Sequence, residues 1–219
     1  MFSKFDLVQK EIRKDYLKEF IDFDNKVFFE EADFPTEQAP PPLKIADMEQ
    51  ALNRGDNIFG LFNKDDKLVA YYWLEFRSKE NLLYIGTIAI QKDYHGKGVG
   101  EKIFEIIEGI ACENKFQRLA LAVDPLNGRA VRFYLKYGYL ITDFKRAYFG
   151  EESPNTHRLW MEKSLDRIYS FGEMEERVYC VDNNAIEKAI NDGLTGVRLE
   201  RDLNNDNHKN LIVFQRKIN

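Results

Sequence analysis

Apolar positions along the chain switch between helical and strand spacing. Tyr16, Phe20, Phe23 and Val27 recur at helical spacing and predict a helix over 15–29. The next segment, from Ala32 to Pro42, holds four of the six prolines and reads as a stiff loop. A second helix is predicted over 45–54, with Gly55 as its stop. Residues 58–62 and 68–76 are apolar runs joined by the turn Asn63-Lys64-Asp65-Asp66, which predicts a hairpin. The run from Leu82 to Ile90 is apolar at nearly every position, the pattern of a strand buried on both faces.

Val99, Ile103, Ile106, Ile107 and Ile110 mark one face of a helix over 98–113. Leu119 to Val123 is a second fully apolar strand, stopped by Asp124-Pro125. Asn127 can cap a further helix carrying Ala130, Val131, Tyr134 and Tyr137, ended by Gly138. Strand, helix, strand, helix in this order predicts a parallel crossover at the centre of an α/β sheet. Residues 139–148 and 156–163 read as a closing pair of strands. After Ser164 the pattern gives a strand over 175–182 and a helix over 183–192 capped by Asn183 or Asn184. A hairpin over 196–203 and 210–218 turns at Asn204 to Asn207. The division expected is a main domain over 1–163 and a small extension over 164–219, packed on the core or on a second subunit. The latter would make a homodimer.

With 44% hydrophobic and 32% charged residues, the 219-residue chain has ample material for a core. A disordered chain is excluded, and no run approaches the roughly 18 apolar residues of a membrane span. The N-terminus, from Met1 to Asp6, has no apolar signal region. A net charge of −5 argues against nucleic acid and anionic membranes as partners and suits a cationic substrate. Two cysteines, Cys112 and Cys180, make neither a disulfide framework nor a metal cluster. They read as reduced and cytoplasmic, with Cys112 in helix packing, and no metal is expected.

The chemistry concentrates in Ile88-Ala89-Ile90-Gln91-Lys92-Asp93-Tyr94-His95-Gly96-Lys97-Gly98-Val99-Gly100, which leaves a strand and enters a helix through three glycines. Glycine lets backbone amides turn toward a ligand, and amides at a helix start favour an anion. The segment 95–100 is therefore a candidate phosphate or pyrophosphate site. A Walker loop requires Gly-Lys-Ser/Thr after four intervening residues, which is absent, and a dinucleotide fingerprint is broken by Glu101.

The same segment resembles the central motif of the GNAT superfamily of acetyl-CoA-dependent N-acetyltransferases, a strand followed by Gln/Arg-x-x-Gly-x-Gly/Ala. In this chain His95 replaces the Gln or Arg. About thirty residues on, Asn127-Gly128-Arg129-Ala130-Val131-Arg132-Phe133-Tyr134 and the close Tyr137-Gly138-Tyr139 resemble the family's second motif. The resemblance covers residues 10–163, most strongly 82–140. It implies an α/β (α+β) GNAT fold, a mixed twisted central sheet flanked by helices, with acetyl-CoA as cosubstrate. His95, Gly96, Lys97, Gly98, Val99 and Gly100 would hold the pyrophosphate. Ile88, Ala89 and Ile90 would pair with the pantetheine arm like an extra strand, and in the family a bulge there aims an amide at the thioester carbonyl. Asn127 would touch pantetheine or cap its helix, and Tyr134 would be the general acid for the leaving thiolate.

An amine with a pKa near 10.4 is only about 0.1% neutral at pH 7.4, so a base or a water chain is required. Glu75 is the first candidate, with Tyr84 and Thr87 as water holders. His157 and His208 read as surface histidines. The acceptor groove is expected to be lined by the Pro-rich loop and by Phe20, Phe23, Phe28, Phe29 and Phe34, although helical spacing makes most of these core. The acidic Glu30, Glu31 and Asp33 could attract an amine, although a solvated loop is the simpler account. The competing class is a GNAT-like module that binds or senses an acyl-CoA without transferring it.

Overall fold

The computed structural model describes residues 5–31, 40–202 and 210–218. The chain divides into two compact units, one ending at Leu119 and the other beginning at Ala120.

In the first unit four strands lie side by side in chain order: β1 (Val8–Glu11), β2 (Asn57–Phe62), β3 (Leu68–Arg77) and β4 (Leu82–Ile90). All three pairings are antiparallel. The β2–β3 turn is held by Asn63, whose side chain accepts the amides of Asp65 and Lys67 at 3.0 Å each. A short 3-10 turn at Lys14–Tyr16 leads into α1 (Leu17–Asn25), which runs out in a π-helical turn at Lys26–Glu30. α2 (Ile45–Arg54) ends where Gly55 takes a φ of 89°, a left-handed conformation that glycine adopts without strain. Phe20 and Phe23 of α1, Met48 of α2, and Ile58, Phe62 and Tyr71 of the sheet form one apolar cluster. Each such side chain contributes about 1.5–3 kcal/mol on burial.

α3 (Val99–Glu113) buries Val99, Ile103, Phe104, Ile107 and Ala111. Cys112, expected in helix packing, is exposed. It follows Ala111 by one position, and so turns about 100° off the 99/103/107/111 stripe. β4 is buried over Leu82–Ile85 but only half-buried at Gly86, Thr87, Ile88 and Ile90. Burial on both faces therefore holds for its first half alone.

β5 (Arg118–Val123) begins two residues before the division, and the second unit continues with α4 (Gly128–Lys136), β6 (Leu140–Lys145), β7 (Arg158–Ser164), β8 (Phe171–Tyr179), α5 (Asn183–Asn191), β9 (Leu194–Arg201) and β10 (Asn210–Lys217). The strand order is β5-β7-β6-β9-β10-β8. The segment after Ser164 continues this sheet, since Ile141 of β6 pairs with Gly196 of β9. A Cβ on Gly196 would stand 2.8 Å from that of Ile141, so only glycine permits the approach. α5 is capped by Asp182, whose Oδ1 accepts the Ala185 amide at 3.0 Å, and not by the expected Asn183 or Asn184. Asp182 places its carboxylate one residue earlier, at the position that reaches the third amide of the helix. Phe34, Asp33, His208, the turn at 204–207 and residues 32–39 of the Pro-rich loop lie outside the described residues.

Candidate active site

The register between β3 and β4 slips once. Trp73 pairs with Thr87 and Leu74 with Ile85, so Gly86 has no partner and forms a β-bulge. Direct partners share a face, which puts Tyr71, Trp73 and Glu75 on one side of the sheet with Ala89, Thr87 and Tyr84. Glu75 stands over the bulge, its Oε1 3.7 Å from where a Cβ on Gly86 would lie. Its Oε2 accepts from Arg77 at 2.8 Å. The Arg77 guanidinium also lies 4.1 Å from the centre of the buried Tyr84 ring. Trp73 donates its indole N–H to Asp56 at 2.9 Å. Gly86 is a site residue that the motif reading missed, although a glycine inside an apolar strand is the usual signal of a bulge.

Past Ile90 the chain makes a 3-10 turn at Lys92–Tyr94 and enters the glycine segment. Gly96 and Gly98 take φ values of 70° and 84°. Gly98 is the N-cap of α3 and no side chain caps that helix, so its first turn offers backbone amides and the positive end of the dipole. A Cβ on Gly96 would meet nothing within 4 Å, so the backbone there is open to an approaching group. His95 turns back, its Nε2 lying 2.7 Å from the Ile90 carbonyl, which assigns the ring N–H to that contact. Lys97 is exposed and sits 5.4 Å from the Tyr94 ring centre. These two residues border a cavity of about 530 Å3 that Phe5, Asp6, Asn63 and Lys64 complete.

A buried acid lies on the bulge side of the same sheet. Asp24, 3% exposed in α1, accepts a short hydrogen bond from the hydroxyl of Tyr71, which is fully buried. Thr87, next to the bulge, lies on the same face of the sheet as the diagonal neighbour of Tyr71. Burial pushes the Asp24 carboxyl up to about 6, against the pull of the Tyr71 bond. Glu31, read as part of a solvated loop, is engaged: it accepts the Lys92 amide at 3.0 Å and pairs with Lys26. The amide holds its carboxyl below the usual range. Phe20 and Phe23 are core, whereas Phe28 and Phe29 are half-buried.

Asn127 and Tyr134 belong to the second unit. Asn127 caps α4, accepting the Ala130 amide at 3.1 Å. Tyr134 is half-buried among Phe133 and Tyr139, with ring centres at 5.9 and 6.1 Å. Burial pushes its phenol up to about 12, Arg129 acting against it. A phenol so held keeps its proton at neutral pH, which is the state a proton donor needs. Asp124 accepts the Leu126 amide at 2.8 Å and lies 3.6 Å from Arg158, both side chains being almost fully buried. His157, expected at the surface, is half-buried and accepts the Ala147 amide on Nδ1 at 3.3 Å. Burial and its arginine neighbours lower its pKa. Cys180 is buried, its thiol raised to about 12, and is no nucleophile. No group of three acidic, histidine or cysteine side chains suited to a metal occurs among the described residues. No helix among them is long and apolar enough to cross a membrane.

The bulged strand, the glycine turn and the Asn–Tyr helix all fall within residues 13–139, which match the sequence model of the Acetyltransferase (GNAT) family. The chain belongs to that family. It is 33% identical over 86 residues to the Drosophila melanogaster protein called Probable N-acetyltransferase san, a match over 39% of this chain and 46% of that one. The chain thus spans about half the length of the curated relative it matches. Solved structures share the fold. The ribosomal-protein-S18-alanine N-acetyltransferase of Escherichia coli superposes with a TM-score of 0.58 at 15% identity, over 76% of this chain and 97% of that one. The PaiA N-acetyltransferase of Thermoplasma acidophilum, in complex with coenzyme A, gives 0.52 at 18% identity, over 72% and 98%.

Proposed function

We propose that the protein is an N-acetyltransferase that moves an acetyl group from acetyl-CoA to a primary amine by direct attack on the thioester. The observation that carries this reading is the bulge at Gly86, followed ten residues on by a glycine turn that opens α3 without a side-chain cap. The amides of residues 95–100 take the pyrophosphate, and Ile88, Ala89 and Ile90 pair with the pantetheine arm in the manner of an added strand. An amide at the bulge meets the thioester oxygen and stabilises the charge that develops there. Lys97 adds charge from the turn, while His95, tied to Ile90, fixes the strand end.

Glu75 is assigned to the amine, as attractor and as general-base candidate. Its carboxylate over the bulge and the net charge of −5 both favour a cationic acceptor. A primary amine is in keeping with the N-acetyltransferase names of the neighbours. Asn127 and Tyr134 are assigned to the cofactor on the resemblance of their motif. Tyr134 protonates the departing thiolate. The domain assignment is an acetyltransferase domain over 1–163 and an extension over 164–219.

Thiol release from acetyl-CoA across a panel of amines tests the reading. Turnover by the wild type is expected, with Tyr134→Phe slower by about a hundredfold and unchanged in acetyl-CoA affinity. Equal turnover by Tyr134→Phe would remove the general-acid role. Binding of acetyl-CoA without turnover on any amine would favour a sensing module.

A further inference from the structure

Asp24 is a buried carboxyl whose side-chain partner among the described residues is a phenol and not a cation. It is 3% exposed, has the Tyr71 phenol as partner, and its shifted pKa has only burial and that bond as causes. Facing it is Tyr71 from β3, and Thr87 of β4 is the diagonal neighbour of Tyr71 on that face. α2 brings the apolar Met48 and Leu52 to the same cluster, and α1 itself brings Phe20 and Phe23. Asp24 and Tyr71 are buried, whereas Thr87 is half-exposed and adjoins the bulge glycine. The chain of hydroxyls therefore has one closed end, at a carboxylate, and one open end, beside the proposed reaction site.

We propose that Thr87, Tyr71 and Asp24 form a proton path that carries the acceptor amine's proton to a buried carboxylate, leaving Glu75 to attract and orient the ammonium. This rests on the acetyl-transfer reading above. The substrate nitrogen gives its proton to Thr87 Oγ1. The Thr87 hydroxyl proton passes to Tyr71 Oη, and the Tyr71 proton to Asp24 Oδ1. The amine becomes neutral, Asp24 becomes a carboxylic acid, and no other bond changes. Asp24 returns the proton along the same path once product has left. Only the ionised carboxyl accepts, and with a pKa of about 6 it is ionised at neutral pH and still basic enough to take the proton.

The test uses the full chain, with kcat followed against pH for thiol release with an amine the wild type accepts. Wild-type kcat should fall on the acid side with a midpoint near 6. Asp24→Asn keeps an acceptor for Tyr71 and should fold. It and Thr87→Val should each lower kcat at least about tenfold, leave the KM for acetyl-CoA unchanged and abolish that acid limb. Thr87→Ser should recover most of the rate lost in Thr87→Val, and Glu75→Gln should raise the KM for the amine. An infrared difference titration of wild type against Asp24→Asn should show a carboxylic acid band that disappears near pH 6. Wild-type rate and acid limb in Asp24→Asn would overturn the path, as would an infrared band titrating in the ordinary carboxylate range. Absence of any turnover in protein that binds acetyl-CoA would remove the reaction, and the path with it. That result differs from failure of the path alone, in which the wild type turns over and the variant matches it.

Discussion

Asp24 and Asp124 are equally hidden, 3% and 5% exposed, and both carboxyls are raised by burial. Their partners differ. Asp124 faces the buried guanidinium of Arg158 and accepts the Leu126 amide at the turn before α4. Asp24 faces a neutral phenol. A carboxylate met by a cation and an amide holds a turn in place. One met by a phenol stays poised near neutrality at a cost in stability. The first arrangement is what a fold requires; the second is what a proton acceptor requires.

Of the two acids, Asp124 matters more to stability. Asp124→Ala leaves the buried Arg158 guanidinium without this carboxylate and should lose about 3–5 kcal/mol in denaturant titration, whatever happens to activity. A loss near zero would place the pair in solvent. Asp24→Asn should act in the opposite direction. The folded pKa of about 6 lies above the unfolded 3.8. Its contribution is therefore fully present below 3.8 and is lost as pH rises through 6. The stability of Asp24→Asn relative to wild type should thus rise by up to about 3 kcal/mol from pH 3.5 to pH 8. A flat difference across that range would mean that Asp24 titrates normally. The smallest effect sharpens the contrast within the turn that Asp124 holds. Asn127→Ala removes the α4 cap and should cost about 1 kcal/mol by thermal unfolding. A cost as large as that of Asp124→Ala would make the turn, and not the ion pair, the source of the loss.

Much of the architecture was legible. Gly55 and Gly138 stop their helices with left-handed φ values of 89° and 84°, and the β2–β3 hairpin turns at the expected residues. The glycine turn was visible because helix entry and three glycines coincide in a short segment. What escaped lies where one residue breaks a pattern. Asp24 sits four positions after Phe20, squarely on the apolar stripe of α1, yet an acid in a charged sequence reads as solvated unless its phase is checked. Gly86 does not stand out in the apolar run of 82–90, since a register slip depends on the neighbouring strand. The Asp182 cap was missed by one position because three polar residues in a row could each serve. The contacts of Glu31 and His157 are invisible in the sequence because their partners, at Lys92 and Ala147, are backbone amides brought close only by the fold.

The glycine turn and the bulged strand are together assigned to an acyl-CoA. Calorimetric titration of the purified, CoA-free protein with acetyl-CoA, free CoA and a longer acyl-CoA tests that assignment directly. Saturable binding of one acetyl-CoA per chain in the micromolar range is expected, with the relative affinities naming the acyl group. Folded protein that binds none of the three would contradict it, and would leave the turn at residues 95–100 as a way of starting a helix.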